Sequence, residues 1–154
     1  RLQEFNINGL NKVEFYICTN IGETTKPLVK VASGGEMSRL MLAIKSVFAK
    51  TDDVPVLVFD EIDTGISGKA AKAVGEKLKI ISKVHQVICI THLAPIAARG
   101  DYNYYISKNV REEKTVTTIK QLNEEETINE IARIATGEVT EISKQHAIEL
   151  RKAS

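Results

Sequence analysis

The stretch Val56-Leu57-Val58-Phe59-Asp60-Glu61 limits what this chain can fold into more than any other. Four consecutive apolar residues, two of them β-branched, read as a strand buried in a parallel sheet rather than one alternating between core and solvent. The strand then delivers two acids at its C-terminal edge, the place where ligands bind in open α/β sheets. Two adjacent carboxylates there suit two tasks. One can serve Mg²⁺ through water while the other polarises an attacking water. Many ordinary strand ends share the pattern, so the surroundings decide what it means.

At 154 residues the chain fits one domain that buries roughly 70% of its unfolded surface. Apolar residues make up 43% and charged residues 27%, a globular balance. Lys and Arg number 21 against 20 Asp and Glu, a net charge of +1. Bulk charge therefore offers no nucleic-acid footprint, and any DNA contact needs a local patch or another part of the protein. No apolar run reaches the roughly 20 residues of a membrane span, and no signal peptide precedes the fold. Cys18 and Cys89 fall in apolar, strand-like runs and read as reduced core thiols, in keeping with a cytosolic compartment. The chain opens on Arg1 rather than Met, which fits a piece of a longer protein.

The expected organisation is mixed α/β. Residues 13–19 form a strand candidate, residues 20–27 a polar loop, and residues 28–31 a short extended lead into Ser33-Gly34-Gly35. A helix is expected over about residues 36–49, burying Met37, Leu40, Met41, Ile44, Val47 and Phe48. Asp52, Asp53 and Pro55 break the chain before the acidic strand, and Asp63-Thr64-Gly65 turns after it. Ser67 can cap a helix reaching about Lys83, with Ala71, Val74, Leu78 and Ile81 as its buried stripe. Residues 87–90 form a second buried strand ending in Thr91-His92. That strand–helix–strand order implies parallel neighbours joined by a right-handed crossover. A hairpin over residues 102–122 turns around Arg111-Glu112-Glu113-Lys114. Two helices close the chain, about 125–136 stopping at Gly137 and about 141–152, the first led by the acidic run Glu124-Glu125-Glu126 as a solvated helix start.

Three elements share the chemistry. Ala32-Ser33-Gly34-Gly35-Glu36 is a small-residue turn opening a helix, where glycines and exposed N–H groups suit a phosphate and the Ser33 hydroxyl adds a donor. A plain helix-initiating turn would look the same. The second element is Asp60-Glu61 with Asp63 in the following loop, and the third is His92 after the next strand. Ser33 to Asp60 is 27 residues and Asp60 to His92 is 32, about one helix plus one strand each. All three can then lie on one sheet edge.

Together Val31-Ala-Ser-Gly-Gly-Glu-Met-Ser-Arg39, Phe59-Asp-Glu-Ile-Asp-Thr-Gly-Ile-Ser-Gly68 and Cys89-Ile-Thr-His-Leu-Ala-Pro95 resemble the heads of ABC-type ATPases. Within that superfamily they are similar to the SMC-related branch and its bacterial DNA-repair members, from about Val13 to the last helix. The resemblance implies a P-loop NTPase type of fold, with a mainly parallel sheet flanked by helices and a C-terminal hairpin and two helices. It implies that Ser33, Gly34, Gly35 and Glu36 form the signature motif, contacting the γ-phosphate of ATP held by a second head in a homodimer. Asp60 is then the acid serving Mg²⁺, Glu61 the residue acting on the hydrolytic water, Asp63 part of a loop communicating across the dimer, and His92 the γ-phosphate sensor. DNA as a partner, and a bacterial cytoplasmic, nucleoid-associated location, follow from the same resemblance.

No segment matches G-x-x-x-x-G-K-[ST]. Gly65-Ile66-Ser67-Gly68-Lys69-Ala70 has the wrong glycine spacing and no hydroxyl after its Lys. In the resembled family the P-loop sits on an N-terminal lobe beyond a long coiled coil. Residues 1–154 are then the C-terminal lobe of a split head, which hydrolyses little ATP by itself. A nucleotide-dependent interaction module without turnover, or the nucleotide-binding domain of another ABC protein such as a transporter, would share much of this sequence. His85 and His146 read as surface or structural residues, and no zinc spacing is present. Arg39, one turn into its helix, is a solvated or ion-paired side chain or part of the nucleotide-facing surface.

Overall fold

The computed structural model describes residues 7, 9–11, 13–18, 22, 24–30, 33–49, 51, 53–111 and 114–152. Its two compact units are residues 1–33 and 34–154.

In the first unit, β1 (Tyr16–Ile17) pairs antiparallel with β2 (Lys26–Pro27). The strand expected over residues 13–19 is thus reduced to two residues, and Thr19 lies outside the described ones. Pro27 has no N–H to extend the ladder, and Val13, Phe15 and Tyr16 are exposed. Residues 28–31 were expected to be extended, but Leu28–Lys30 forms a 3-10 turn instead; Val31 lies outside the described residues. Pro27 fixes its own φ and favours such a turn directly after it. Cys18 is exposed, so it is not the core thiol its apolar neighbours suggested.

The second unit runs α1 (Gly34–Phe48), β3 (Val56–Phe59), α2 (Gly68–Ile81), β4 (Gln86–Cys89), α3 (Ala94–Ala97), β5 (Tyr104–Arg111), β6 (Lys114–Gln121), α4 (Glu124–Thr136) and α5 (Glu141–Lys152). β3 and β4 are parallel, with Val56 opposite Gln86 and Phe59 opposite Cys89. Leu57 and Phe59 point into a core shared with Leu42 of α1, Ala71, Leu78 and Ile81 of α2, and Ile96 of α3. The stripe expected on α2 therefore lies where its spacing put it, with Val74 half-buried. Ser67 precedes α2 in extended conformation, but its side chain makes no capping bond. The helix ends at Ile81, and His85 beyond it is buried, its ring nitrogens 2.6 Å from the carbonyl oxygen of Val54 and 3.1 Å from that of Ala49. It is a structural residue.

Two expectations of burial fail. Along α1 only Gly35 and Leu42 are buried, while Met41, Ile44, Val47 and Phe48 are exposed. At 100° per residue Gly35 and Leu42 share the face nearly opposite that stripe. The helix is apolar on two sides, and the core takes the narrower one. Across the parallel pair Val56, Val58, Ile88 and Ile90 are exposed as well. Parallel sheets normally carry a layer on both faces; among the described residues this one is covered on one. The three sheets are each two-stranded, so a wider parallel sheet is not formed by the described residues.

β5 and β6 form the expected hairpin, a separate antiparallel sheet with Ile106 opposite Ile119. A second core joins Ala94, Ala97 and Ala98 to Ile131 and Ala132 of α4 and Ala147 of α5. Asn123 and Glu126 cap α4 reciprocally, and Gly137 ends it in the left-handed region at φ 84. The acidic helix start is more than solvated: Glu124 pairs with Arg151 at 2.9 Å, and Glu126 pairs with Lys120. The Lys120 bond, then the Asn123 backbone N–H, hold the Glu126 carboxyl below its ordinary range.

Candidate functional site

Beyond β3 the chain reverses sharply. Ile62 is fully buried against the first core, and to place it there Glu61 adopts φ 57, in the left-handed region that non-glycine residues rarely occupy. The turn closes with Thr64 N–H donating to the Glu61 carbonyl at 3.0 Å. Asp60, exposed at the strand end, accepts the Glu61 N–H through Oδ1 at 2.9 Å.

This turn is packed on the start of α1. A Cβ built on Gly34 would collide with Oε2 of Glu61. One on Gly35 would stand 2.9 Å from the Glu61 carbonyl oxygen and 3.0 Å from that of Thr64. At Gly35 main-chain oxygens leave no room for a side chain, whereas at Gly34 only the movable end of Glu61 stands in the way. The Glu61 carboxylate thus rests by the first turn of α1, where unpaired N–H groups favour negative charge. Glu36 lies in that same first turn. Ser33, exposed, directly precedes α1 and is the last residue of the first unit.

Ser38 and Arg39 fasten the two pieces together. The Ser38 hydroxyl donates to the Asp60 carbonyl at 2.7 Å. Arg39 Nη1 donates to the carbonyls of Ile62 at 3.1 Å and Thr64 at 2.8 Å. Arg39, half-buried, thus turns one guanidinium nitrogen onto main chain.

Asp63 is buried and joins the ends of both parallel strands. Its Oδ2 accepts the Thr91 hydroxyl at 2.6 Å and the His92 main-chain N–H at 2.8 Å. His92 Nδ1 is 3.1 Å from the same oxygen, while the His92 side chain is 71% exposed. The ring is tethered at one nitrogen and open to the outside. Thr91 Oγ1 in turn accepts the Leu93 N–H at 3.1 Å. Burial first, then the charges of Asp63 and Asp60, push the Cys89 thiol up to about 12.

Gly34, Gly35, Asp60, Glu61, Asp63 and His92 thus belong to one network at the C-terminal edge of β3 and β4. Sequence reasoning gave no role to Ser38 or Thr91, and for Arg39 it left a solvated or ion-paired side chain and the nucleotide-facing surface both open. A hydroxyl at the residue after a strand, and a Ser-Arg pair one turn past a double glycine, were the available signals.

As a metal centre the arrangement is incomplete. Among the described residues no group of three or more His, Cys, Asp or Glu side chains is placed to hold an ion. A single exposed carboxylate such as Asp60 still suits Mg²⁺, which keeps several waters and takes its remaining ligands from substrate phosphates.

No protein-family model matches the chain. Its sequence is 50% identical over 147 residues to the DNA repair protein RecN of Halalkalibacterium halodurans, covering 95% of this chain and 26% of that protein. The chain is RecN-like. The RecN of Bacillus subtilis is 50% identical over 94% of the chain, and that of Deinococcus radiodurans 44% over 92%. The chain spans about a quarter of the length of these RecN relatives. A solved structure of an SMC ATPase, from work on ATP-driven dimerization and DNA-stimulated activation, shares 28% identity, covers 70% of this chain and 63% of its own, and superposes with a TM-score of 0.47. No described helix is long and apolar enough to cross a membrane.

Proposed function

We propose that residues 1–154 are the C-terminal lobe of a split ATPase head in a RecN-like DNA-repair protein of the bacterial cytoplasm. The observation that carries this reading is the joining of the glycine turn, the Asp60-Glu61 strand end and His92 into one hydrogen-bonded edge, with no P-loop anywhere in the sequence. Two further features support it. The chain spans about a quarter of its RecN relatives, and among the described residues one face of the β3–β4 sheet and of α1 is left apolar and uncovered. Covering such faces stabilises an assembly by about 25 cal/mol per Å² of apolar surface buried. A P-loop lobe laid on this sheet would supply the missing layer.

In the assembled head Asp60 would hold Mg²⁺ through water, and the ion would neutralise charge developing on the β- and γ-phosphates. Glu61, on a turn fixed by Ile62, Ser38 and Arg39, orients the attacking water and accepts its proton. His92, tethered by Asp63, directs its exposed side to the γ-phosphate. Ser33, Gly34 and Gly35 offer the helix start to ATP held by a second head, so turnover requires a dimer. Phosphoryl transfer depends on positioning and charge stabilisation, and half a site provides too little of either. DNA contact belongs to the full-length protein.

A nucleotide-dependent interaction module without turnover is the second reading. Glu61 weighs against it, since a non-hydrolysing lobe has no need to hold an acid in a strained left-handed turn. Mixing this chain with its P-loop lobe should restore Mg²⁺-dependent ATP hydrolysis that neither part shows alone. ATP-dependent association without phosphate release would favour the second reading.

A further inference from the structure

We infer that Arg39 is a positioning residue for the acidic turn, locking the main chain of residues 61–64 to the first turns of α1. This rests on the ATPase reading for its consequence in turnover, but the lock itself does not.

Glu61 sits at φ 57, a conformation with a standing preference to relax. The turn's own bonds are modest, Thr64 to Glu61 at 3.0 Å and Ile66 to Asp63 at 3.3 Å. Arg39 supplies what they lack. One nitrogen, Nη1, bridges the carbonyls of Ile62 and Thr64, on either side of the Asp63 peptide. Both are charge-assisted donations, stronger than neutral ones. A Cβ on Gly35 would lie 3.0 Å from that same Nη1, so the side chain threads through the space the glycine leaves. Ser38 adds its bond to Asp60 from the preceding residue.

The lock joins the two halves of the chemistry within one chain. Gly34 and Gly35 start the helix that carries Arg39, while Glu61 and Asp63 ride on the turn that Arg39 holds. A shift of α1 when its N-terminus meets a phosphate of the second head is thereby passed to Glu61 and, through Asp63, to His92. Both bonds leave one guanidinium nitrogen, so Lys at this position, with three rotatable donors on a shorter stem, would hold the turn in part.

Amide hydrogen exchange on this chain tests the lock directly. In Arg39→Ala the Thr64 and Ile66 amides should exchange roughly tenfold faster or more, while amides in α4 and α5 keep their rates. Arg39→Lys should lie between. Unchanged exchange at Thr64 and Ile66 overturns the lock, as does an equal rise throughout the unit, which would make Arg39 a general stability residue. In the assembled protein, Arg39→Ala should lower kcat roughly tenfold with KM held within about twofold, because substrate binding is left intact. A normal kcat beside faster local exchange would overturn the positioning role. A wild-type protein that hydrolyses no ATP would instead refute the ATPase reading while leaving the exchange result to decide the lock.

Discussion

Asp63 holds His92 by its backbone and its ring at once, with Oδ2 2.8 Å from the main-chain nitrogen and 3.1 Å from Nδ1. The carboxylate is buried, and the same oxygen takes the Thr91 hydroxyl. Removing it strands the Thr91 hydroxyl and the His92 main-chain N–H and releases the His92 ring. Asp63→Ala is expected to cost about 2–3 kcal/mol in urea unfolding, and Asp63→Asn, which keeps an acceptor of the same shape, less than half of that. Equal loss in both variants would mean that charge, rather than the acceptor, holds the strand ends.

How much of this was legible in the sequence depends on what each signal is physically able to report. Gly137 and the helix end it marks, Pro55 and the strand after it, and α5 over Glu141–Lys152 were readable because local chemistry sets them. The apolar stripe of α1 was also readable, but periodicity reports that a face is apolar and not what covers it. Gly35 and Leu42, on the opposite side, take the core instead. Cys18 misled for the same reason. What Arg39 and Thr91 bind was illegible because their partners, Ile62, Thr64 and Asp63, lie more than twenty residues away in the chain.

The two glycines should differ in tolerance. On Gly34 a methyl group meets the far end of the Glu61 side chain, which can swing aside. On Gly35 it meets main-chain oxygens at 2.9 and 3.0 Å, which cannot. Gly35→Ala should lose about 1–3 kcal/mol by chemical denaturation, and Gly34→Ala under about 1 kcal/mol, the typical range for overpacking in rigid and yielding surroundings. The reverse order would contradict the packing of the acidic turn on α1.

Glu61 trades stability for placement. Glycine at φ 57 carries no Cβ strain, so Glu61→Gly is expected to raise unfolding free energy by about 0.5 kcal/mol, the strain relief less glycine's own entropy cost. Glu61→Gln retains the strain and loses only the charge beside the helix start, so it should unfold at or slightly below the wild-type denaturant midpoint, by at most about 1 kcal/mol. A glycine variant less stable than the wild type would show that the Glu61 side chain's contact with the helix start outweighs the backbone strain.

The two thiols should separate by reactivity. Burial and the neighbouring acids push Cys89 up to about 12, so its thiolate is absent near neutrality. Exposed Cys18 should label with iodoacetamide at pH 8 while Cys89 labels only on unfolding, as peptide mass mapping would show. The raised value also sets a sign. Folding keeps this thiol protonated, so its stabilising contribution is complete below the unfolded value of 9.0 and is lost as pH rises from there toward about 12. Rapid labelling of native Cys89 would contradict the burial.

The central claim is that Glu61 acts on water in a site this chain only half builds. Its most direct test is single-turnover ATP hydrolysis by the assembled protein carrying Glu61→Gln, with head dimerisation followed in parallel. The account predicts ATP-driven dimers that form as in the wild type and release phosphate at least about a hundredfold more slowly, the usual scale for losing a general base. Wild-type phosphate release by the Gln variant, or turnover by this chain without a P-loop lobe, would contradict it.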